Sequence, residues 1–262
     1  MSNQDFQPSL LFKIRVFSVW GGMAALFVWF VCSFHLQFSF VVDKLPSLFG
    51  MTLGPDGFIQ GVPLTLLLCL SSMLISVLLG FVSALGRMSS SAILFGLATF
   101  YTSFFRGTPL LLQVLLIYLG LPQLGPVPAA IPSGIAALSL CYGAYLSEIF
   151  RSAILSVPKG QWEAAKAQGL NRRCTMQYVI LPQALRVAIP PVGAMFISML
   201  KDSSLVSVMG LWEIMFLAQS YGRSAFRYME MLITAAVIYW LLSIILELFQ
   251  ARLERRFHPA GR

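Results

Sequence analysis

The sequence predicts an all-α fold: a polytopic membrane protein with about six transmembrane helices. Three observations carry this. Of the 262 residues, 58% are hydrophobic and only 11% charged, where a soluble domain carries roughly 25% charged residues; mean hydropathy is +0.80. The apolar residues fall in repeated uncharged runs near the roughly 20 residues that cross a bilayer as helix. The basic residues gather in the short segments between runs, on alternate sides.

The first run, about 16–38, follows Lys13 and Arg15. Its apolar stretch Val16–Phe34 exceeds the apolar region of a secretory leader, and no small-x-small site follows it, so it is read as a retained span. The other runs are about 60–86, 91–120, 133–153, 187–209 and 229–250. With Lys13, Arg15, Arg87, the cluster Arg151 to Arg186, and Arg252, Arg255, Arg256 and Arg262 placed inside, about thirteen of the eighteen basic residues are cytoplasmic. Lys44, Arg223 and Arg227 remain outside, and an even span count puts both termini in the cytoplasm.

The third run is too long for one straight helix: thirty residues would reach about 45 Å against a hydrocarbon core of about 30 Å. It contains Arg106-Gly107-Thr108-Pro109, where proline removes a donor and disfavours helix in the residue before it, so a kink or break is expected. Arg106 is costly against lipid and faces protein, water or a headgroup, or snorkels to the surface. The connector Leu121–Ser133 carries Pro122, Pro126, Pro128 and Pro132 and is expected to be stiff and extended. Two runs place a small residue at every fourth position: Ser72, Ser76, Gly80 and Ala84, and Ser139, Gly143 and Ser147. Such faces let membrane helices approach closely, first of all within one chain.

The net charge of +8 does not indicate nucleic acid, because no basic stripe is interleaved with exposed aromatics. Cys32, Cys69, Cys141 and Cys174 lack zinc-ligand or C-x-x-C spacing, and His35 and His258 lie near opposite ends, so neither a disulfide framework nor a metal site is read.

The segment 154–186 is the one long polar stretch. Val157-Pro158 ends the preceding helix. Gln161–Gln168 consists of strong helix formers, with Gly169 as its stop. Asn171 is placed to cap a second helix, about Arg172 to Leu181, closed by Pro182. Ala164, Ala165 and Ala167 give the first helix a low-profile face, flanked by Trp162 and Glu163. Physics alone leaves two uses open: docking into a partner's groove, or lying flat on headgroups.

The stretch EAAKAQGLNRRCTMQYVILP, 163–182, resembles the EAA loop of binding-protein-dependent ABC importer permeases. Glu163, Ala164, Ala165, Gly169, Leu181 and Pro182 stand in register; Val179 replaces the usual Ile, and Gln168 a common apolar residue. FFRGTPLLLQ (104–113), AYLSEIFRSAILSVPKGQWEAA (144–165), LPQALRVAIPP (181–191) and FISMLKDSSLVSVMG (196–210) are similar to the polar and basic amino-acid branch of that family. The resemblance covers about 60–255. It implies a five-helix importer permease core at 58–256, preceded at 1–57 by an extra N-terminal helix and outer loop, in a bacterial inner membrane. Gly160, Trp162, Glu163, Ala164, Ala165, Gly169, Leu181 and Pro182 would couple to the ATPase. Implied partners are two copies of a cytoplasmic ABC ATPase subunit, a second permease chain (identical or paralogous) and an extracytoplasmic solute-binding protein. The chain has no G-x-x-x-x-G-K-[ST] loop, so no cofactor is expected on it, it is not itself an enzyme, and ATP is used by the partner. Alternating access would carry the solute.

Arg106, Glu148, Lys201, Asp202 and Ser203 are the candidates for the solute path. Charge inside a membrane run is expensive and marks a functional site by default; the alternative is that these groups satisfy structural partners near a helix break. Among other function classes, a gradient-driven secondary transporter would need a complete core in one chain, commonly from internal repeats, and none is found between 60–150 and 160–250. A membrane enzyme would need a catalytic pair or metal motif, and none is present. An ABC permease for another small solute is the remaining alternative.

Overall fold

The computed structural model describes residues 9–33, 38–54 and 57–257. His35, His258, Arg262 and positions 34–37 of the first expected span lie outside them. The described residues form helices α1 (Leu10–Ser33), α2 (Phe38–Leu48), α3 (Val62–Arg87), α4 (Ala92–Gly107), α5 (Leu110–Leu115), α6 (Ala130–Leu155), α7 (Lys159–Ala167), α8 (Arg172–Cys174), α9 (Leu181–Asp202), α10 (Ile214–Ala225) and α11 (Tyr228–Phe257). No strand occurs among them.

The chain divides into two compact units, residues 1–43 and 44–262. In the first, α1 begins earlier than expected, because Ser9 Oγ accepts the Phe12 amide at 3.2 Å and so satisfies one of the free donors of the first turn. Phe17, Trp20 and Trp29 are all exposed. A helix apolar on every side requires a lipid or protein environment, and Leu10–Trp29 is long and apolar enough to span.

The second unit is the helical bundle, and residues 44–54 belong with it: Leu48 is fully buried, and Lys44 lies 5.3 Å over the Tyr221 ring. Val62–Arg87, Ala130–Leu155, Arg172–Met209 and Tyr228–Arg255 are long and apolar enough to cross a membrane. The third expected span is broken where the proline stands. Thr108 is extended (φ −111°, ψ 143°), and Ala92–Gly107 and Leu110–Leu124 meet at 107°.

The two small-residue faces find each other. Ser76 Oγ donates to the Ser139 carbonyl at 3.2 Å, and Ser139 Oγ to the Ser72 carbonyl at 3.3 Å. A Cβ on Gly80 would stand 2.7 Å from Leu146 Cβ, and one on Gly143 would stand 2.5 Å from Tyr101 Oη. Backbones this close explain why the positions are small.

Two expectations are corrected. The proline-rich connector is extended only around 126–129; Pro122 sits in a 3-10 turn, Leu121–Leu124, and Pro132 lies in the first turn of α6, where a missing amide donor costs nothing. Nor does Pro182 close a helix. A π-helical turn, Thr175–Ile180, leads straight into α9, whose first turn holds Pro182, so the chain is helical from Arg172 to Met209, 38 residues, rather than from about 187. Two short helices were not foreseen, α2 and α10. Glu213 caps α10, accepting the Met215 amide at 2.8 Å and the Phe216 amide at 2.7 Å.

Candidate functional site: the 154–186 loop and the bundle charges

The loop is built by local signals. α6 stops at Leu155, and Pro158, extended (φ −55°, ψ 139°), starts α7. Gly169 ends it at φ 76°, a left-handed conformation that favours glycine. The Gly169 amide donates to the Lys166 carbonyl at 3.0 Å and the Leu170 amide to the Ala165 carbonyl at 3.1 Å. Asn171 Oδ1 then accepts the Cys174 amide at 2.8 Å, opening the long helix as its residue type implies.

α7 has two distinct faces. Ala165 is 4% exposed, and Trp162 packs on the cluster formed by Phe150, Ile154, Ile180 and Ala184. Gly160, Glu163, Ala164 and Ala167 are exposed. The small residues therefore do not share one outward face: Ala165 is the contact residue inside, and Ala164 and Ala167 lie outside. Leu181 is half-buried and Pro182 exposed. Gln183 Nε2 on α9 donates to Gln161 Oε1 at 3.2 Å and to the Val179 carbonyl at 2.8 Å. The result is a short helix, tied to the first turn of α9 and exposed on its outer side.

Among the bundle charges, Arg106 and Glu148 come together. Glu148 on α6 pairs with Arg87 on α3 and with Arg151, whose Nε lies 3.2 Å away. Arg106 at the end of α4 lies 3.6 Å from the same carboxylate and 5.5 Å from the Tyr145 ring centroid. Three guanidiniums thus surround one carboxylate. Lys201, Asp202 and Ser203 are adjacent in the chain but diverge. Lys201 is exposed. Asp202 accepts the Tyr142 hydroxyl at 2.7 Å. Ser203 is fully buried and donates to the Leu200 carbonyl at 2.7 Å. Tyr142 and Tyr145, 6.2 Å apart, lie between the Asp202 and Arg106–Glu148 groups.

Two polar residues beyond those candidates organise the bundle. Gln113, 2% exposed, donates to the Phe105 carbonyl at 2.9 Å and to the Thr108 carbonyl and hydroxyl at 3.1 and 2.9 Å, which supplies a donor to acceptors freed at the break. An amide four residues after Pro109 in an otherwise apolar run was the available signal. Glu213 accepts the Tyr239 hydroxyl at 2.8 Å and lies outside the candidate spans. Burial pushes its carboxyl up to about 7, against the lowering effect of its bonds to Met215, Tyr239 and Phe216. A carboxylate ahead of Ile214-Met215-Phe216-Leu217 is an N-cap signal that length alone concealed.

A broken span, paired small faces and a short surface helix between two spans define a helical, multi-spanning membrane protein. Residues 76–259 match the family described as binding-protein-dependent transport system inner membrane component, and the chain belongs to that family. It is 37% identical over 223 residues, 84% of this chain and 95% of the relative, to a probable amino-acid permease protein YxeN of Bacillus subtilis (strain 168). It is 42% identical to the L-cystine transport system permease protein TcyB of the same organism, over 76% of this chain and 84% of that one. The arginine transport system permease protein ArtQ, also from that organism, is 36% identical over 85% and 97%. Among solved structures, an amino acid ABC transporter with histidines matches at a TM-score of 0.77 and 36% identity, covering 84% of this chain and 99% of that one. The MetNI methionine ABC transporter, at a TM-score of 0.65 and 19% identity over 76% and 95%, shares the fold.

Proposed function

We propose that this chain is the permease subunit of an ABC transporter that imports amino acids, with ATP hydrolysed by a partner subunit and coupled to alternating access of the spans. The observation that carries the coupling reading is α7: a nine-residue helix held on its inner face by Trp162 and Ala165, with Gly160, Glu163 and Ala164 presented outward. Such a helix moves as one body, and a force on its outer face passes through Gln161 and Gln183 to α9. The amino-acid reading draws on relatives named for amino-acid, cystine and arginine transport.

In this reading two copies of the ATPase subunit receive the Glu163–Ala164 face, a second permease chain completes the path, and a solute-binding protein delivers solute opposite the 154–186 loop. The same reading takes both termini as cytoplasmic, on the distribution of basic residues alone. Asp202 with Tyr142, and Arg106 with Glu148, are the groups offered to the solute. The bond from Ser203 to its own helix favours a positioning role there, and Lys201 is accessible from outside the bundle.

Reconstitution into vesicles with co-purified partners tests this. ATP-dependent uptake of labelled amino acids that requires the binding protein is the expected result; uptake driven by an ion gradient without the ATPase would overturn it. Glu163→Lys should abolish uptake while the complex remains in the membrane. Asp202→Asn and Glu148→Gln with unchanged solute affinity would remove those residues from the path.

A further inference from the structure

Along the flank of the bundle runs an apolar groove of about 470 Å³, walled by Leu74, Val77 and Leu78 of α3 and by Leu185, Ile189 and Val192 of α9. Its floor is the edge-to-face pair Phe81–Phe150, with ring centroids 5.9 Å apart. Phe81 and Leu181 also line a second cavity, of about 790 Å³, at the end of the groove beside the 154–186 loop. There the chemistry changes. Ser89, Ser90 and Gln177 supply polar groups, and Arg172 and Arg173 stand at the mouth. Both arginines are exposed, and neither forms an ion pair with another described residue. They occupy the first turn of the 38-residue helix Arg172–Met209, whose N-terminal end carries partial positive charge of the same sign. An apolar channel open to the side, ending in two cations and a helix N-terminus, has the polarity profile of a single anionic amphiphile.

We infer that this groove and its basic mouth bind one anionic glycerophospholipid from the leaflet on the side of the 154–186 loop, with acyl chain along α3 and α9 and phosphate held by Arg172 and Arg173. Charge complementarity selects the occupant: basic pockets between spanning helices hold anionic headgroups, whereas a neutral headgroup gains nothing from two guanidiniums. Trp162 of α7 and Met176 line the same mouth, so the lipid touches the helix assigned to coupling, and its presence stiffens the seat of α7. The inference requires only that the chain spans a bilayer; it does not depend on an ATPase partner or on the solute.

The test is native mass spectrometry of the full chain in mild detergent, exposed to phosphatidylglycerol and phosphatidylcholine of the same acyl composition. The wild type should retain phosphatidylglycerol in preference by roughly tenfold. R172Q/R173Q should lose the preference, R172K/R173K should keep most of it, and R252Q/R255Q, in the last turns of α11 and outside the lining of both cavities, should leave it unchanged. Leu185→Trp, which fills the groove, should lower retention of both lipids. Equal retention of the two lipids by the wild type, or a preference that survives R172Q/R173Q, would overturn the inference. So would full displacement by millimolar glycerophosphate, which would assign the mouth to a free anion. A Leu185→Trp protein that keeps its lipid but changes its oligomeric mass would assign the groove to a second copy of the chain and overturn the inference too.

Discussion

Gln183 on the first turn of α9 donates its side-chain amide to Gln161 on α7, across 3.2 Å. Twenty-two positions apart in the chain, the two residues tie the surface helix to a spanning one. Replacing Gln183 with Ala should leave the fold intact, since a net hydrogen bond at an accessible site contributes about 0.5–1.5 kcal/mol. It should lower the ratio of solute transported to ATP hydrolysed several-fold, measured in reconstituted vesicles. An unchanged ratio would show that α7 needs no such tether.

Ala164 and Ala165 are neighbours with opposite environments, one exposed and one 4% exposed. Ala165→Asp buries a carboxylate on the inner side of α7 and should cost several kcal/mol, read as a fall in thermal stability of the purified chain. Ala164→Asp should melt with the wild type but fail to co-purify with the ATPase subunit. Identical behaviour of the two would contradict the two-faced arrangement of α7.

The cluster at Glu148 is asymmetric, three arginines to one acid. Glu148→Gln removes the charge that holds Arg87 and Arg151 and should destabilise by about 1–3 kcal/mol. Adding Arg87→Gln should recover part of that loss rather than add to it, because the like charges then fall from three to two. A double-mutant thermal-melting cycle gives the sign directly.

Gly80 and Gly143 sit where the backbones of α3 and α6 nearly touch. A Cβ at Gly80 meets Leu146 Cβ and, at 3.0 Å, the Gly143 carbonyl, and the backbone atom cannot swing aside. Gly80→Ala should therefore cost about 1–3 kcal/mol. At Gly143 the nearest obstacles are the Tyr101 hydroxyl and, at 3.0 Å, Leu79 Cβ, so Gly143→Ala should also displace Tyr101 from its 2.8 Å hydrogen bond to the Leu140 carbonyl. Comparative melting of the two variants distinguishes them.

Glu213 gives a pH dependence with a definite sign. Its carboxyl is raised from 4.5 to about 7, so between those values the folded chain holds a proton that the unfolded chain has released. Stability from this group is fully present below 4.5 and is lost as pH rises through 7. Glu213→Gln, which keeps an acceptor but cannot ionise, should flatten the melting temperature between pH 4.5 and 7 relative to wild type. A parallel pair of profiles would show that Glu213 is charged throughout.

What could be read along the chain was whatever is encoded locally. Pro158, Gly169 and Asn171 delimit α7 and the start of the long helix because caps act over three or four residues. The four-residue spacing of Ser72, Ser76 and Gly80 named a packing face, though not its partner. Pro182 misled because a proline's effect depends on where in a helix it falls: a π-helical turn, Thr175–Ile180, precedes it, and Pro182 stands in the first turn of α9 rather than at the end of a helix. α2 and α10 escaped notice because each is shorter than a span and carries charge. Glu148 and Asp202 stood out as intramembrane charges, but their partners Arg87 and Tyr142 lie some sixty positions away, beyond any local pattern.

The contact of α3 with α6 limits what the molecule can do mechanically. At Ser72, Ser76 and Gly80 on one side and Ser139 and Gly143 on the other, little side chain stands between the two backbones to absorb a sliding displacement. So close a seam favours movement of α3 and α6 together when a push is delivered at the Leu155 end of α6. Whatever rearrangement opens and shuts the path must then be taken up elsewhere, at the right-angled corner around Pro109 and in the seams along α9, so those are the places to look for a difference between two conformations.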